Sequence, residues 1–355
     1  MSIELSQLSD SARQVVNGLG LGSAEREGWS IIAELGWFMV STPEKLGGLG
    51  MGLAGACALH VELGRGLTTV PFLAQMLAIN AVSRSTLAAR EEWLGSMMAG
   101  ERRVTAALGE SSLVVEAAAG SELKLSGAVQ AIPSADDASH VLIQTADLNC
   151  VALVALDQSG VTITARPTWD ETRRLFDLQI DNLAFDQELV LATGGASQTL
   201  SRNLSIVRDF ALAADAVGGA AALLDMTLEY LQTREQFGRP LALFQALKHR
   251  CADLKALTAG AQTLLQSSLL GVVGYSGDVE LCAGAEMKGL AAKNLACSAF
   301  ATVAEESLQL HGGIGMTSEH HCHLFMKRAL LNEHLGRPQD SYAVGVAELF
   351  LDSLR

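Results

Sequence analysis

The stretch TREQFGRPLALFQALKHR, residues 233–250, lies between two apolar helical segments. Gly238 and Pro240 supply the turn that two successive helices need, because glycine tolerates positive φ and proline cannot continue a helix. The turn does not account for Arg234, since a guanidinium at a helix C-terminus contributes only about 0.3–1 kcal/mol. It also gives no reason for Gln245 to stand among apolar residues. A purely structural role therefore leaves two polar side chains unexplained.

The part of the chain that contains this stretch is predicted to be a helical bundle. Apolar or small residues recur at spacings of three and four between residues 203 and 231, which indicates one long helix. The same periodicity predicts further helices over about 242–270, 281–310, 318–331 and 341–353.

The two preceding parts of the chain differ in texture. Short β-branched runs such as CVALVALD and VTITAR alternate with Gly, Asp, Asn and Pro, which is typical of strands. They predict an all-β domain of roughly seven or eight strands, as a small barrel or sandwich. Before them, helical periodicity is broken by glycine loops. We therefore predict a helical domain over 1–101, a β-domain over 102–196 and the bundle over 197–355.

Composition restricts the function. The chain has 355 residues, 49% of them hydrophobic and 18% charged, as in a well-packed globular protein. Its formal net charge of −14 argues against binding nucleic acid by phosphate neutralisation. Six cysteines without a CxxC pair indicate reduced thiols and a cytoplasmic location. We expect neither a signal peptide nor a membrane span.

A second motif, LQLHGGIGMTSEHH, covers residues 308–321. Gly312 and Gly313 leave bare backbone N–H groups at the junction of two predicted helices. Such amides can contact an anion or a pyrophosphate. They are equally compatible with an ordinary glycine C-cap, so the motif alone leaves both interpretations open.

Taken together, these features resemble the acyl-CoA dehydrogenase family. The resemblance covers nearly the whole chain and includes PEKLGGLGMGL, REQFGRPLALFQ and QLHGGIG. It implies an α+β fold made of an N-terminal helical domain, a middle β-barrel domain and a C-terminal four-helix bundle.

The resemblance also implies FAD as the cofactor. In this family the arginine and glutamine of the first motif bind the pyrophosphate and adenosine portion across a dimer interface. The phenylalanine packs on the phosphate arm, and the Gln-x-x-Gly-Gly loop clasps the dinucleotide of a neighbouring subunit. The implied cofactor-binding residues are Arg234, Phe237, Gln245, Gln309, Gly312 and Gly313.

The implied reaction is α,β-desaturation of an acyl-CoA thioester. A carboxylate removes the α-proton, the β-hydrogen leaves as hydride to the flavin, and electron-transfer flavoprotein reoxidises the flavin. The expected substrate is therefore an acyl-CoA from fatty acid or steroid catabolism, and the expected redox partner is electron-transfer flavoprotein.

The catalytic base is the point where the resemblance fails. The family's usual base position falls on Gly336, and a rarer position on the first bundle helix falls on Arg208. Asp209 and Glu333 are the nearest candidate bases. The alternative interpretations are a salt-bridging acid for Asp209 and an exposed helix-end residue for Glu333.

The β-domain departs from the family as well. The loop over residues 108–112 is shortened, and Ala131-Ile132-Pro133 replaces a strand that carries an aromatic residue and a hydroxyl. The chain resembles short bacterial enzymes that act on steroid side chains, several of which form mixed tetramers. It is therefore either an FAD-dependent acyl-CoA dehydrogenase or a non-catalytic subunit that completes a partner's FAD site. Either a homo-oligomer or a heterotetramer is expected.

A histidine cluster raises the question of a metal. His320 and His323 are three residues apart and could share a helix face. Because no matching ligand pair with zinc-finger spacing occurs elsewhere, we predict no metal centre.

Overall fold

The computed structural model describes residues 3–109, 111–117, 123–184, 186–270, 272 and 284–354. Glu110 of the shortened loop and the predicted start of the third bundle helix at Leu281 lie outside these residues. The described chain begins with helices, as predicted. They are α1 (Ile3–Leu19), α2 (Glu25–Glu34), α3 (Gly52–Arg65), α4 (Phe72–Ser83) and α5 (Arg90–Met98).

Eight strands follow within the described part of the middle region. They form two four-stranded sheets, in the orders β1-β4-β5-β8 and β2-β3-β7-β6, whose buried side chains share one core. All neighbours are antiparallel except β1 and β4. The strands are β1 (Val104–Ala106), β2 (Val114–Ala117), β3 (Leu123–Pro133), β4 (His140–Gln144), β5 (Cys150–Ala155), β6 (Val161–Arg166), β7 (Leu175–Ala184) and β8 (Val190–Thr193).

The bundle follows β8 directly. Its first helix starts at Gly194, before the predicted boundary at residue 197. A short hairpin, β9 (Glu235–Gln236) and β10 (Arg239–Pro240), separates the first two bundle helices. The bundle helices are α6 (Gly194–Thr233), α7 (Gln245–Leu270), α8 (Ala285–His311), α9 (Cys322–His334) and α10 (Gln339–Ser353).

The N-terminal domain and the bundle share one hydrophobic core, in which α3 lies directly against α6. A Cβ atom on Gly218 would lie 1.9 Å from the carbonyl oxygen of Val61, and one on Gly64 would lie 2.2 Å from that of Asp215. Both helices therefore need glycine where their backbones cross, and this contact fixes α6 relative to the N-terminal domain.

A buried ionic cluster joins all three parts of the chain. The Arg328 guanidinium, 1% exposed, donates to Asp170 Oδ2 at 2.9 Å and Asp215 Oδ1 at 3.3 Å. It also donates to the carbonyl of Thr68 at 3.2 Å. Arg173 completes the cluster with a 3.0 Å ion pair to Asp215. Two arginines and two aspartates balance in charge, which is the condition for burying such groups.

The helix α6 is long and apolar enough to cross a membrane by length and composition alone, with a mean hydropathy of 1.4 over 18 residues. Of that window, 72% is buried inside the molecule. The central helix of a packed bundle has this same character, because neighbouring helices surround it.

Candidate functional site

The first motif forms a tight hairpin between α6 and α7. Phe237 and Gly238 occupy the two-residue loop with φ of +54° and +74°, as a type I′ turn requires. The prediction that Gly238 and Pro240 form the turn is therefore wrong in one residue, because Pro240 pairs with Glu235 in the hairpin. A bulky residue at positive φ is costly, so Phe237 occupies a strained position.

The side chain of Phe237 projects from the hairpin tip. It is 91% exposed, and its nearest described ring is Phe244 at 6.1 Å between centroids. Apart from its edge-to-face contact with Phe244, this strained and exposed ring packs against no other described ring. It is suited to packing against another molecule.

Arg234 and Gln245 flank this hairpin. The backbone of Arg234 is held at both ends, since its N–H donates to Tyr230 and its carbonyl accepts from Leu241. Its side chain and that of Gln245 are exposed, and neither forms a hydrogen bond or ion pair with another described residue. Gln245 is the first residue of α7, which begins after the predicted residue 242 because Phe244 is extended. Both side chains are free to bind a ligand or neighbouring subunit.

Gly312 and Gly313 of the second motif are also exposed. α8 ends at His311, and Gly312 turns the chain with φ of +64°. Gly313 has no positive φ, and a Cβ atom on Gly312 or Gly313 would meet no atom within 4 Å. Intrachain packing therefore does not require glycine at residue 313. Gln309, on the last turn of α8, is exposed beside this surface.

The fold brings the two motifs together. Tyr230, on the last turn of α6, stacks on the His311 ring with 4.6 Å between centroids. Its hydroxyl also donates to the His311 carbonyl at 3.2 Å. Arg234 and the Gly312-Gly313 pair are thereby presented at the same end of the bundle. No sequence signal pointed to Tyr230.

The two base positions also meet in space. Gly336 has φ of +90°, and a Cβ atom on it would lie 2.7 Å from Tyr342 Oη and 2.9 Å from Arg208 Nε. The chain therefore offers no carboxylate at either position and places a guanidinium there.

Asp209 does not face an open site. It is 2% exposed and accepts hydrogen bonds from Arg208 Nε at 3.0 Å and from Tyr342 Oη at 3.1 Å. Burial is the largest influence on the pKa of Arg208 and lowers it, but Asp209 and Tyr342 together raise this pKa above its usual value. Asp209 is thus the counter-ion of Arg208, as the salt-bridge interpretation predicts.

Beside Arg208 lies a cleft of about 60 Å³ between β1, β4 and α6. Ala106, Gly109, Gln144 and Ser205 contribute to its lining. Pockets that enclose whole organic ligands measure about 300–1,000 Å³, so this cleft accommodates only a small group. Glu333 does not line it. Glu333 is half-buried on α9, where burial raises its pKa.

The chain matches two family models, "Acyl-CoA dehydrogenase, C-terminal domain" over residues 195–336 and "Acyl-CoA dehydrogenase, N-terminal domain" over residues 20–101. It is 32% identical over 305 residues to acyl-CoA dehydrogenase IpdE2 of Mycobacterium tuberculosis, covering 85% of this chain and 79% of that protein. The chain therefore belongs to the acyl-CoA dehydrogenase family, and the predicted fold class is confirmed.

Other similarities agree with this assignment. Acyl-CoA dehydrogenase FadE27 of Mycobacterium tuberculosis is 30% identical, over 87% of this chain and 84% of that protein. A solved structure described as the Tcur3481-Tcur3483 steroid ACAD is 26% identical, with a TM-score of 0.84 over 99% and 98% of the two chains. The ChsE4-ChsE5 complex from Mycobacterium tuberculosis shares the fold, with a TM-score of 0.88 at 24% identity over 99% and 98% of the two chains.

Members of this family are FAD-dependent oxidoreductases. The residues of this chain fit the pyrophosphate and adenosine end of FAD better than its flavin-ring end. The exposed side chains of Arg234 and Gln245 and the exposed Gly313 suit a pyrophosphate and an adenosine. The Gly312 N–H already donates to the carbonyls of Leu308 and Gln309. The flavin-ring end fits poorly. β3 bulges between Val129 and Ile132, and the bulge holds Ala131 where the family pattern has an aromatic residue. The neighbouring cleft is small.

Proposed function

We propose that this chain is the non-catalytic subunit of a heteromeric FAD-dependent acyl-CoA dehydrogenase and completes the FAD site of a catalytic partner subunit. One observation carries the proposal: a guanidinium, not a carboxylate, lies where the two possible base positions converge. The exposed side chains of Arg234 and Gln245, beside the hairpin between α6 and α7, support a binding role for the chain.

A base for this reaction must offer a lone pair to the α-proton of the thioester. Arg208 cannot do so, because arginine stays protonated in proteins and has no acceptor. Asp209 is committed to Arg208 and Tyr342. An acyl-CoA bound beside Arg208 would therefore keep its α-proton, and the partner subunit has to supply the base.

The contribution of this chain lies in its exposed motif residues. Arg234 can present two parallel N–H donors to phosphate oxygens, which a lysine cannot do. Gln245 offers a carboxamide to the adenosine portion, and the backbone amide of Gly313 can face the dinucleotide. Phe237 would pack against the phosphate arm. When bound, FAD accepts the hydride, and these residues hold and orient it.

The heteromeric arrangement is supported by the similarity to the Tcur3481-Tcur3483 steroid ACAD. We propose an acyl-CoA of lipid or steroid catabolism as the substrate of the complex and electron-transfer flavoprotein as its oxidant. The assembly would contain at least one catalytic subunit of the same family.

The test is to purify this chain alone and after co-expression with a family member encoded beside it. The lone chain should contain little flavin and should not bleach added FAD on exposure to acyl-CoA. The co-purified complex should be yellow and should bleach with its substrate. A lone chain that carries one FAD per subunit and bleaches rapidly with an acyl-CoA would refute the proposal.

A further inference from the structure

Close to the Gly312-Gly313 pair, three side chains of types that bind metals lie together. His311 ends α8, Cys322 begins α9, and His320 lies in the turn before Cys322. Each offers one ligand atom, and the three atoms lie within 4.8 Å of one another. The rings of His311 and His320 are 4.4 Å apart between centroids. Small side-chain rotations would bring the three atoms around one ion.

His311 is oriented as metal-binding histidines usually are. It is 3% exposed, and its Nδ1 lies 2.7 Å from the carbonyl oxygen of Ser307. The Nδ1 atom must therefore carry the proton, so Nε2 presents a bare lone pair. This Nε2 is buried and has no hydrogen-bond partner among the described residues. A carbonyl that fixes the tautomer is a common outer contact of metal sites, and a buried unpaired nitrogen calls for a partner.

The other two proposed ligands, His320 and Cys322, are joined by a hydrogen bond. The backbone N–H of Cys322 donates to His320 Nδ1 at 3.2 Å. Coordination through either nitrogen of His320 would break this bond, because a ring that binds through Nε2 carries its proton on Nδ1. The Cys322 thiol is fully buried and free.

We infer that His311, His320 and Cys322 form a site for a divalent ion of the zinc type. Two imidazoles and one thiolate match the preference of Zn²⁺ for nitrogen and sulfur, with water in the fourth position. On binding, the Cys322 thiol loses its proton to solvent, and the thiolate donates an electron pair to the ion. No electron is transferred.

The site lies where two bundle helices meet, so a bound ion would connect them. The ion would join the end of α8 to the start of α9, and Gly312 and Gly313 lie in the segment between them. The dipole of α9 would also favour the thiolate at its N-terminus. The ion would therefore hold in place the loop whose Gly313 amide we propose to face FAD. The sequence predicted no metal because it contains no matching ligand pair with zinc-finger spacing, whereas the fold places His311 beside His320 and Cys322.

The experiment measures zinc binding by the purified full chain without flavin, so its outcome is independent of the proposed function. The chain is stripped with a chelator, titrated with Zn²⁺, and examined with Co²⁺ for sulfur-to-metal charge transfer and tetrahedral ligand-field bands. We expect one ion per chain and a thiolate band. Absence of both would overturn the inference.

Metal binding by single-residue variants tests which side chains form the site. Cys322→Ser should abolish the charge-transfer band, and His320→Asn should weaken binding by at least roughly 10-fold, the lower end for disturbed metal sites. His323→Asn is the matched control, because His323 is next to Cys322 on α9 but is not a proposed ligand, and it should bind as the parent does. If Cys322→Ser fails to fold, the zinc affinity of His320→Asn becomes the deciding measurement, because His320 is partly exposed. Unchanged affinity in His320→Asn overturns the assignment.

Discussion

Replacing Arg234 tests the proposed FAD contact most directly. Its side chain is exposed and forms no hydrogen bond or ion pair with another described residue. Removing it should therefore leave the free energy of unfolding of the lone chain within about 0.5 kcal/mol of the parent value. If Arg234 stabilises the fold, its removal should lower the free energy of unfolding of the lone chain. If it binds the cofactor, its removal should lower the affinity for FAD and leave the free energy of unfolding unchanged.

The expected loss of FAD affinity follows from the contact. A hydrogen bond to a charged group contributes about 1.5–3 kcal/mol, which corresponds to roughly 10- to 150-fold in the dissociation constant. Arg234→Ala should weaken FAD binding by the co-expressed complex within this range. Arg234→Lys keeps the charge but loses the second parallel donor, so it should lie between Ala and the parent.

The assay titrates the apo-complex with FAD and follows quenching of flavin fluorescence, while denaturant unfolding of the lone chain is measured in parallel. Arg26→Ala serves as the matched control, because Arg26 is an exposed arginine on α2, in another domain. The argument is refuted by an unchanged FAD dissociation constant in Arg234→Ala, or by an equal loss in the control.

Three further predictions concern the interior. Arg328→Met should destabilise the chain by about 3–5 kcal/mol in denaturant unfolding, because it leaves buried carboxylates without their main cation; a loss below 1 kcal/mol would contradict this. Asp209→Asn should lower stability by unpairing Arg208. In the complex, neither Asp209→Asn nor Glu333→Gln should slow flavin bleaching, whereas loss of a true base would cost roughly 10²-fold or more. Burial lowers the pKa of His60 to about 4. The unfolded chain, with a histidine pKa near 6.5, then binds more protons between these values, so stability should fall from about pH 6.5 to pH 4. His60→Asn should flatten that part of the stability profile, and an unaltered slope would exclude His60 as its source.

Local patterns in the sequence were sufficient for the architecture. Spacings of three and four predicted the bundle helices, and β-branched runs bounded by turn residues predicted the middle region. The two motifs led to the family before any contact was known. The missing carboxylate at Gly336 was also visible in the sequence. These features were readable because periodicity, turn chemistry and motif spacing are properties of neighbouring residues.

One local detail was not predicted correctly. The hairpin places Phe237 rather than Pro240 beside Gly238 in its turn, because the pairing of Glu235 with Pro240 leaves only two residues to close the loop. A turn with two positive φ values favours Gly, Asn or Asp, so nothing in the sequence pointed to a phenylalanine there.

Only the tertiary structure decided what surrounds the base positions. Arg208 and Gly336 meet at Tyr342, and the hydroxyl of Tyr342 bonds to Asp209 across 133 residues of sequence. In the same way, His311 lies beside His320 and Cys322, a proximity that the three-residue spacing of His320 and His323 did not indicate. Such contacts depend on how helices far apart in the chain are packed, and a sequence pattern reports only the face a residue occupies, not which distant residue will lie opposite it.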